Sequence, residues 1–170
     1  YEEEFSIYDA YRWSPDSKTI AYWEENQSRV PVFTMINELE LYPVMTEIRY
    51  PKAGQTNPTM RIGVVKATGG ATRWMDIGDN RDMYYPRIYW HSSEQLLVMR
   101  MRRLQNRWDL LICNPKSGKK KQGLMEMDEN GWVSVHDNYR FLKKDEIVWI
   151  SERLGYQHLH RHTLKGEELA

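Results

Sequence analysis

One cysteine, three phenylalanines and no net charge are the first limits that this 170-residue sequence sets. A lone thiol, Cys113, excludes an internal disulfide framework and any cysteine-based zinc cage. It sits in the run Asp109-Leu110-Leu111-Ile112-Cys113, where a small buried hydrophobe is the expected role. The 24 basic and 24 acidic residues cancel, so the basic excess usual in a nucleic-acid binder is missing. No apolar run approaches the length of a bilayer span, and no signal-peptide pattern opens the chain. The first residue is Tyr1 rather than methionine, which reads as a processed or cut piece of a longer protein. One dense basic stretch exists, Lys116 with Lys119-Lys120-Lys121 around Ser117-Gly118. A polar turn between two strands accounts for it better than a phosphate site.

What the chain does have is 7 Trp and 11 Tyr, aromatics with a polar edge that suit half-buried strands. Strand-length apolar runs recur at Thr19–Trp23, Met60–Val65, Gln95–Met101, Trp108–Cys113, Glu146–Ile150 and His158–His160. Turn chemistry separates them at Ser14-Pro15-Asp16-Ser17, Thr68-Gly69-Gly70, Asn114-Pro115-Lys116-Ser117-Gly118 and Lys165-Gly166. No long segment keeps a helical period, and the fold class is all-β.

An aromatic, a polar turn and an apolar strand follow one another three times, starting at Tyr11, Ile88 and Tyr139. Repeated hairpins at a period of several tens of residues are how propeller blades appear in sequence. A meander sandwich uses the same hairpins and is the competing architecture. Extra sequence from about Val30 to Pro58 carries Pro31, Pro43, Pro51 and Pro58, and reads as an arm leaving the first blade.

Several distinctive segments follow one another along the chain. They are Tyr1-Glu2-Glu3-Glu4-Phe5-Ser6, followed by an aromatic-Trp-Ser-Pro strand, and Tyr50-Pro51-Lys52-Ala53-Gly54 with Asn57-Pro58-Thr59. Arg102-Arg103-Leu104-Gln105-Asn106 with Asp109, Gly131-Trp132-Val133, and Ser151-Glu152-Arg153-Leu154-Gly155-Tyr156-Gln157-His158-Leu159 complete the set. In this order they resemble the propeller domain of the dipeptidyl peptidase IV family, its bacterial members above all. The resemblance implies a partial β-propeller, two to three four-stranded antiparallel blades of an eight-bladed ring. It also implies an α/β-hydrolase domain, absent from this chain, that carries the catalytic serine, aspartate and histidine. No serine here is flanked by glycines as a nucleophile elbow requires, so no catalytic residue is expected in this chain.

By the same resemblance, Glu3 and Glu4 lie on a short helix projecting into the central cavity and bind the free α-ammonium of a peptide substrate. Two carboxylates match the charge and donors of a protonated amine, and the amine relieves their mutual repulsion. Such a clamp leaves room for two residues before the serine, which implies release of dipeptides, X-Pro preferred, and excludes endopeptidase action. Without the resemblance, Glu2-Glu3-Glu4 reads as a solvated acidic turn. Human-like members carry Arg-Phe-Arg after the Gly-Trp-Val motif, whereas this chain has Ser134-Val135-His136-Asp137, so that side of the cleft must be lined differently.

The arm, residues 30–58, is implied to pack on a partner's hydrolase domain in a homodimer. Leu39, Leu41, Tyr42, Val44 and Met45 would then be exposed on the monomer; otherwise they pack back onto their own blade. His158, His160 and His162 alternate, so a strand places them on one face, but no carboxylate or cysteine is evident nearby. They read as polar strand residues, with no metal. No cofactor is implied. The whole protein is expected to be periplasmic or secreted, and an incomplete ring to self-associate through open strand edges or to carry disordered or rearranged ends. The alternatives are a non-catalytic propeller interaction module related to this family and a stand-alone β-sandwich.

Overall fold

The computed structural model describes residues 2–143 and 145–170, apart from the side chains of Glu2 and Glu3. One helical turn, α1 (Glu2–Phe5), precedes four antiparallel sheets. The first sheet has the order β1 (Tyr11–Trp13), β2 (Thr19–Asn26), β5 (Thr59–Lys66), β6 (Arg73–Trp74). A ribbon of β3 (Val32–Asn37) and β4 (Val44–Arg49) is inserted between β2 and β5. The second sheet is a meander of β7 (Met83–Ser92), β8 (Gln95–Arg102), β9 (Arg107–Cys113) and β10 (Lys120–Met127). The third contains β11 (Tyr139–Leu142), β12 (Glu146–Ser151) and β13 (His158–Thr163). This is an all-β partial propeller.

The three repeats become the opening hairpins of the three sheets. Trp13 pairs with Ile20, Trp90 with Leu96 and Phe141 with Ile147, so one aromatic faces one apolar residue at the same place each time. The first hairpin is fixed by Ser14, whose hydroxyl donates to Asp16 Oδ1 at 2.7 Å and accepts from the Thr19 amide at 3.0 Å. Ser17 takes the left-handed conformation that the turn needs, at φ 58°.

Blade stacking explains why the middle sheet is apolar on both faces. Along β8, Leu96 and Val98 point into a core shared with the first sheet, where Ala21, Trp23, Ile62 and Val64 lie. Leu97, Met99 and Met101 point the other way, against Trp108, Leu124, Ile147 and Trp149. Two faces buried by two neighbours is propeller packing; a strand of an ordinary two-layer sandwich hides one. Trp108 meets Trp149 edge-on with centroids 4.5 Å apart, joining the second and third sheets. Glu126 crosses the same seam: it accepts from Ser151 Oγ at 2.5 Å and from Arg153 Nη2 at 2.6 Å.

Cys113 is buried as expected, and burial pushes its thiol up to about 12, which makes it inert. The lysine stretch is split. Lys120 and Lys121 open β10, Lys120 reaches Asp76 at 2.8 Å, and Lys116 reaches Glu94 at 2.8 Å.

Candidate functional site

Helix α1 is only one turn long, so its position is set by what holds its end. Phe5 is buried and packs on Tyr84 with ring centroids 5.1 Å apart. Its carbonyl accepts from Arg87 Nη1 at 2.6 Å. The Arg87 side chain, 11% exposed, also forks onto Asp137, with Nε to Oδ1 at 2.8 Å and Nη2 to Oδ2 at 3.0 Å. A bidentate guanidinium–carboxylate pair fixes direction as well as distance. Ser6, at φ 54°, then turns the chain out of the helix.

Glu4 projects to solvent, and its Oε1 accepts from Gln105 Nε2 at 3.0 Å. Gln105 lies at the tip of the β8–β9 hairpin in a left-handed conformation, φ 55°. Its carbonyl accepts from the Val133 amide at 2.9 Å. Tyr50, Pro51, Lys52, Ala53 and Asn57 border the same depression as Glu4, and Asn57 donates to the Tyr84 hydroxyl at 2.9 Å. Four segments far apart in sequence thus converge around α1: the acidic motif, the proline-rich segment, the β8–β9 hairpin and the Gly131-Trp132-Val133 run. Of the two glutamates implied to bind an amine, Glu4 is placed here; the Glu3 side chain lies outside the described residues. Glu4 keeps one oxygen tied and offers the rest of its acceptor capacity outward, a geometry suited to a cationic ligand.

The Ser134–Asp137 stretch is occupied with structure. His136 Nε2 lies 2.8 Å from the Ile150 carbonyl, and its Nδ1 accepts from the Asn138 amide at 3.2 Å. Asp137 is committed to Arg87. What sequence reasoning missed is this Arg87–Asp137 pair, 50 residues apart in sequence, which links the stretch to α1 through the Phe5 carbonyl.

The arm stands clear of its blade. Leu39 and Leu41 are 94% and 91% exposed, and Tyr42, Val44 and Met45 are exposed too, so they do not pack back. Its base is anchored by Arg49 Nη1 to the Val30 carbonyl at 2.8 Å and by the Tyr50 amide to the Pro31 carbonyl at 3.1 Å.

The histidine row differs from expectation. His158 is exposed, whereas His160 and His162 are 4% and 1% exposed. A carboxylate is supplied after all: Glu168 comes back across a tight turn and its Oε1 lies 3.0 Å from His160 Nδ1. Burial, then the nearby Arg153 charge, hold the His162 imidazole below its usual 6.5. The His160 contact holds the Glu168 carboxyl below its usual range. A base that resists protonation when folded lets the unfolded chain bind the extra proton, so stability falls as pH drops below about 6.5. The Glu168 contribution, present above about 4.5, is lost at lower pH still, in the same direction. Thermal melts between about pH 7.5 and pH 5.5 are expected to show a falling midpoint, with a shallower fall in His162→Phe. Equal pH slopes in the two proteins would contradict this.

Comparisons with known proteins agree with this architecture. The family model described as the dipeptidyl peptidase IV (DPP IV) N-terminal region matches residues 1–170. Dipeptidyl peptidase 4 of Felis catus is 32% identical across 99% of this chain and 25% of its own length. Inactive dipeptidyl peptidase 10 of Rattus norvegicus is 30% identical over 85% of this chain and 19% of its own. Prolyl endopeptidase FAP of Mus musculus is 29% identical over 94% of this chain and 23% of its own. The crystal structure of Porphyromonas gingivalis dipeptidyl peptidase 4 superposes with a TM-score of 0.88 at 29% identity, covering 99% of this chain and 24% of that one. The chain therefore spans a quarter or less of the length of these relatives. With the three stacked sheets and the whole-length match, it belongs to the dipeptidyl peptidase IV family, within the N-terminal region of that family.

Proposed function

We propose that this chain is the amine-binding, substrate-gating part of the propeller of a serine exopeptidase that removes dipeptides, X-Pro by preference, from peptide N-termini. The observation that carries the reading is Glu4, a carboxylate held by Gln105 on a helix that Arg87 pins from below. Glu3, its neighbour in α1, completes the clamp in this reading. The catalytic serine, aspartate and histidine would come from the hydrolase domain of the whole protein, against which this propeller closes the chamber. The relatives named dipeptidyl peptidase 4 support the activity class. A periplasmic or secreted location goes with the same reading.

Two relatives favour other outcomes. The inactive dipeptidyl peptidase 10 supports a non-catalytic propeller module, and the relative named a prolyl endopeptidase supports cleavage within a chain by a cleft without an amine clamp. One assay separates all three. The full-length protein is given Gly-Pro and N-acetylated Gly-Pro chromogenic substrates. Turnover of the free amine alone supports the exopeptidase, equal turnover of both overturns the clamp, and turnover of neither supports the inactive module.

The arm is proposed to reach a partner's hydrolase domain in a homodimer. Its apolar tip, Leu39, Leu41 and Tyr42, is exposed and has no cover among the described residues. Replacing Leu39 and Leu41 by serine is expected to shift the full-length protein from dimer to monomer in sedimentation; an unchanged dimer would assign the arm elsewhere.

A further inference from the structure

The end of the third sheet gathers three metal-competent side chains in a way that the sequence order conceals. After β13 the chain turns through Leu164-Lys165-Gly166 and runs back antiparallel. The Thr163 amide donates to the Glu167 carbonyl at 2.8 Å and the Leu169 amide to the Arg161 carbonyl at 2.7 Å. That register puts Glu168 directly opposite His162 and diagonal to His160, all on one face. One ligand atom from each of the three lies within 4.8 Å of the other two. A tetrahedral zinc ion with bonds of about 2.0–2.1 Å spaces its ligand atoms by about 3.3 Å, which small side-chain rotations reach.

We propose that His160, His162 and Glu168 form a binding site for a divalent transition-metal ion of the zinc class, with water as the fourth ligand. The observation beyond proximity is the state of the two buried imidazoles. The His160–Glu168 contact uses one of four ring nitrogens. Among the described residues, His160 Nε2 and both nitrogens of His162 are buried and meet no partner in hydrogen-bond geometry, with the Gly166 backbone close to the His162 ring. Metal-ligating imidazoles direct one nitrogen at the ion and the other N–H at a backbone carbonyl, and His162 has the surroundings for both. Two imidazoles and one carboxylate suit zinc and its neighbours, whereas calcium and magnesium demand oxygen.

Access and charge are both compatible. Glu168 is half exposed, so an ion enters from its side. Arg153 is the cation that acts on His162, and its charge is met by Glu126 across the seam at 2.6 Å. Bound there, the ion would tie the returning segment to β13 and close the third sheet along that edge. The site is independent of the peptidase reading, because none of its residues borders α1.

Zinc titrated into the chelator-stripped chain, in competition with a chromophoric chelator, tests the assignment. One ion per chain, a raised melting temperature and d–d absorption bands of tetrahedral type with Co2+ are expected. Glu168→Ala, which removes a half-exposed side chain, should weaken zinc binding at least tenfold and remove the thermal shift. His162→Phe should abolish it. Should His162→Phe fail to fold, Glu168→Ala decides alone. Zinc binding that matches wild type in Glu168→Ala, or no zinc binding in wild type, overturns the site and leaves a His160–Glu168 hydrogen bond only.

Discussion

Glu4→Gln in the full-length protein is expected to lower kcat/KM toward a free-amine X-Pro substrate by about 30- to 1,000-fold. Truncating one member of a charge pair that substrate binding desolvates costs about 2–4 kcal/mol, and each 1.4 kcal/mol is about tenfold. Glutamine keeps the shape and can still meet Gln105, so the loss isolates the charge rather than the fold. Glu3→Gln is expected to fall in the same range. A second readout distinguishes binding from damage: an amine-capped substrate, unable to use the clamp, should lose little on either substitution. A change under about threefold for the free amine would remove Glu4 from the substrate site. Arg87→Met reaches the same helix from beneath, through the Phe5 carbonyl, and should produce a smaller loss as a positioning effect.

Asp109→Ala is expected to cost the chain about 3 kcal/mol of folding stability, the lower end of what breaking a buried ion pair costs. Asp109 is 5% exposed and lies on the face of β9 that looks toward the first sheet. Arg100 Nη2 reaches its Oδ2 at 3.1 Å, Arg107 Nη2 its Oδ1 at 2.7 Å, and Gln122 Nε2 its Oδ1 at 3.2 Å. One carboxylate therefore bridges β8, β9 and β10. Alanine would leave two guanidiniums facing each other without an anion. Both arginines retain some solvent, which is why the estimate stays low in its range. The melting midpoint should drop by about 6–12 °C, at about 2–4 °C per kcal/mol for a chain of this size. A drop of less than about 2 °C would mean that water already screens the cluster.

The hairpins were readable because each is half of a blade with one short turn. Period-two apolar runs bounded by Ser14-Pro15-Asp16-Ser17 or Ser92-Ser93-Glu94 leave little else to form. Outer strands were less legible. β10 opens with Lys120-Lys121, which reads as a continued turn because Lys120 meets Asp76, a carboxylate of the first blade, rather than a core. The β3–β4 ribbon has both faces in water, so no alternation marks it, and proline content alone suggested an arm. Of the candidate site, the resemblance pointed to Glu3 and Glu4 but not to the contacts that hold α1 and Glu4 in place. Nothing local announces that Gln105 and Arg87 meet residues 101 and 82 positions away. Glu168 was overlooked for the same reason, since its neighbours are set by strand pairing after a turn.

Strand β8 has no wet side, and that decides how the molecule should breathe. Local openings begin where backbone amides can reach solvent cheaply, at the ribbon and at the outer strands of the flanking sheets. The amides of β8 and β9 can exchange only when a whole neighbouring sheet lifts away, which makes this central pair the slow clock of the chain. Deuterium uptake should fill the molecule from both ends inward and reach Leu97–Met99 last.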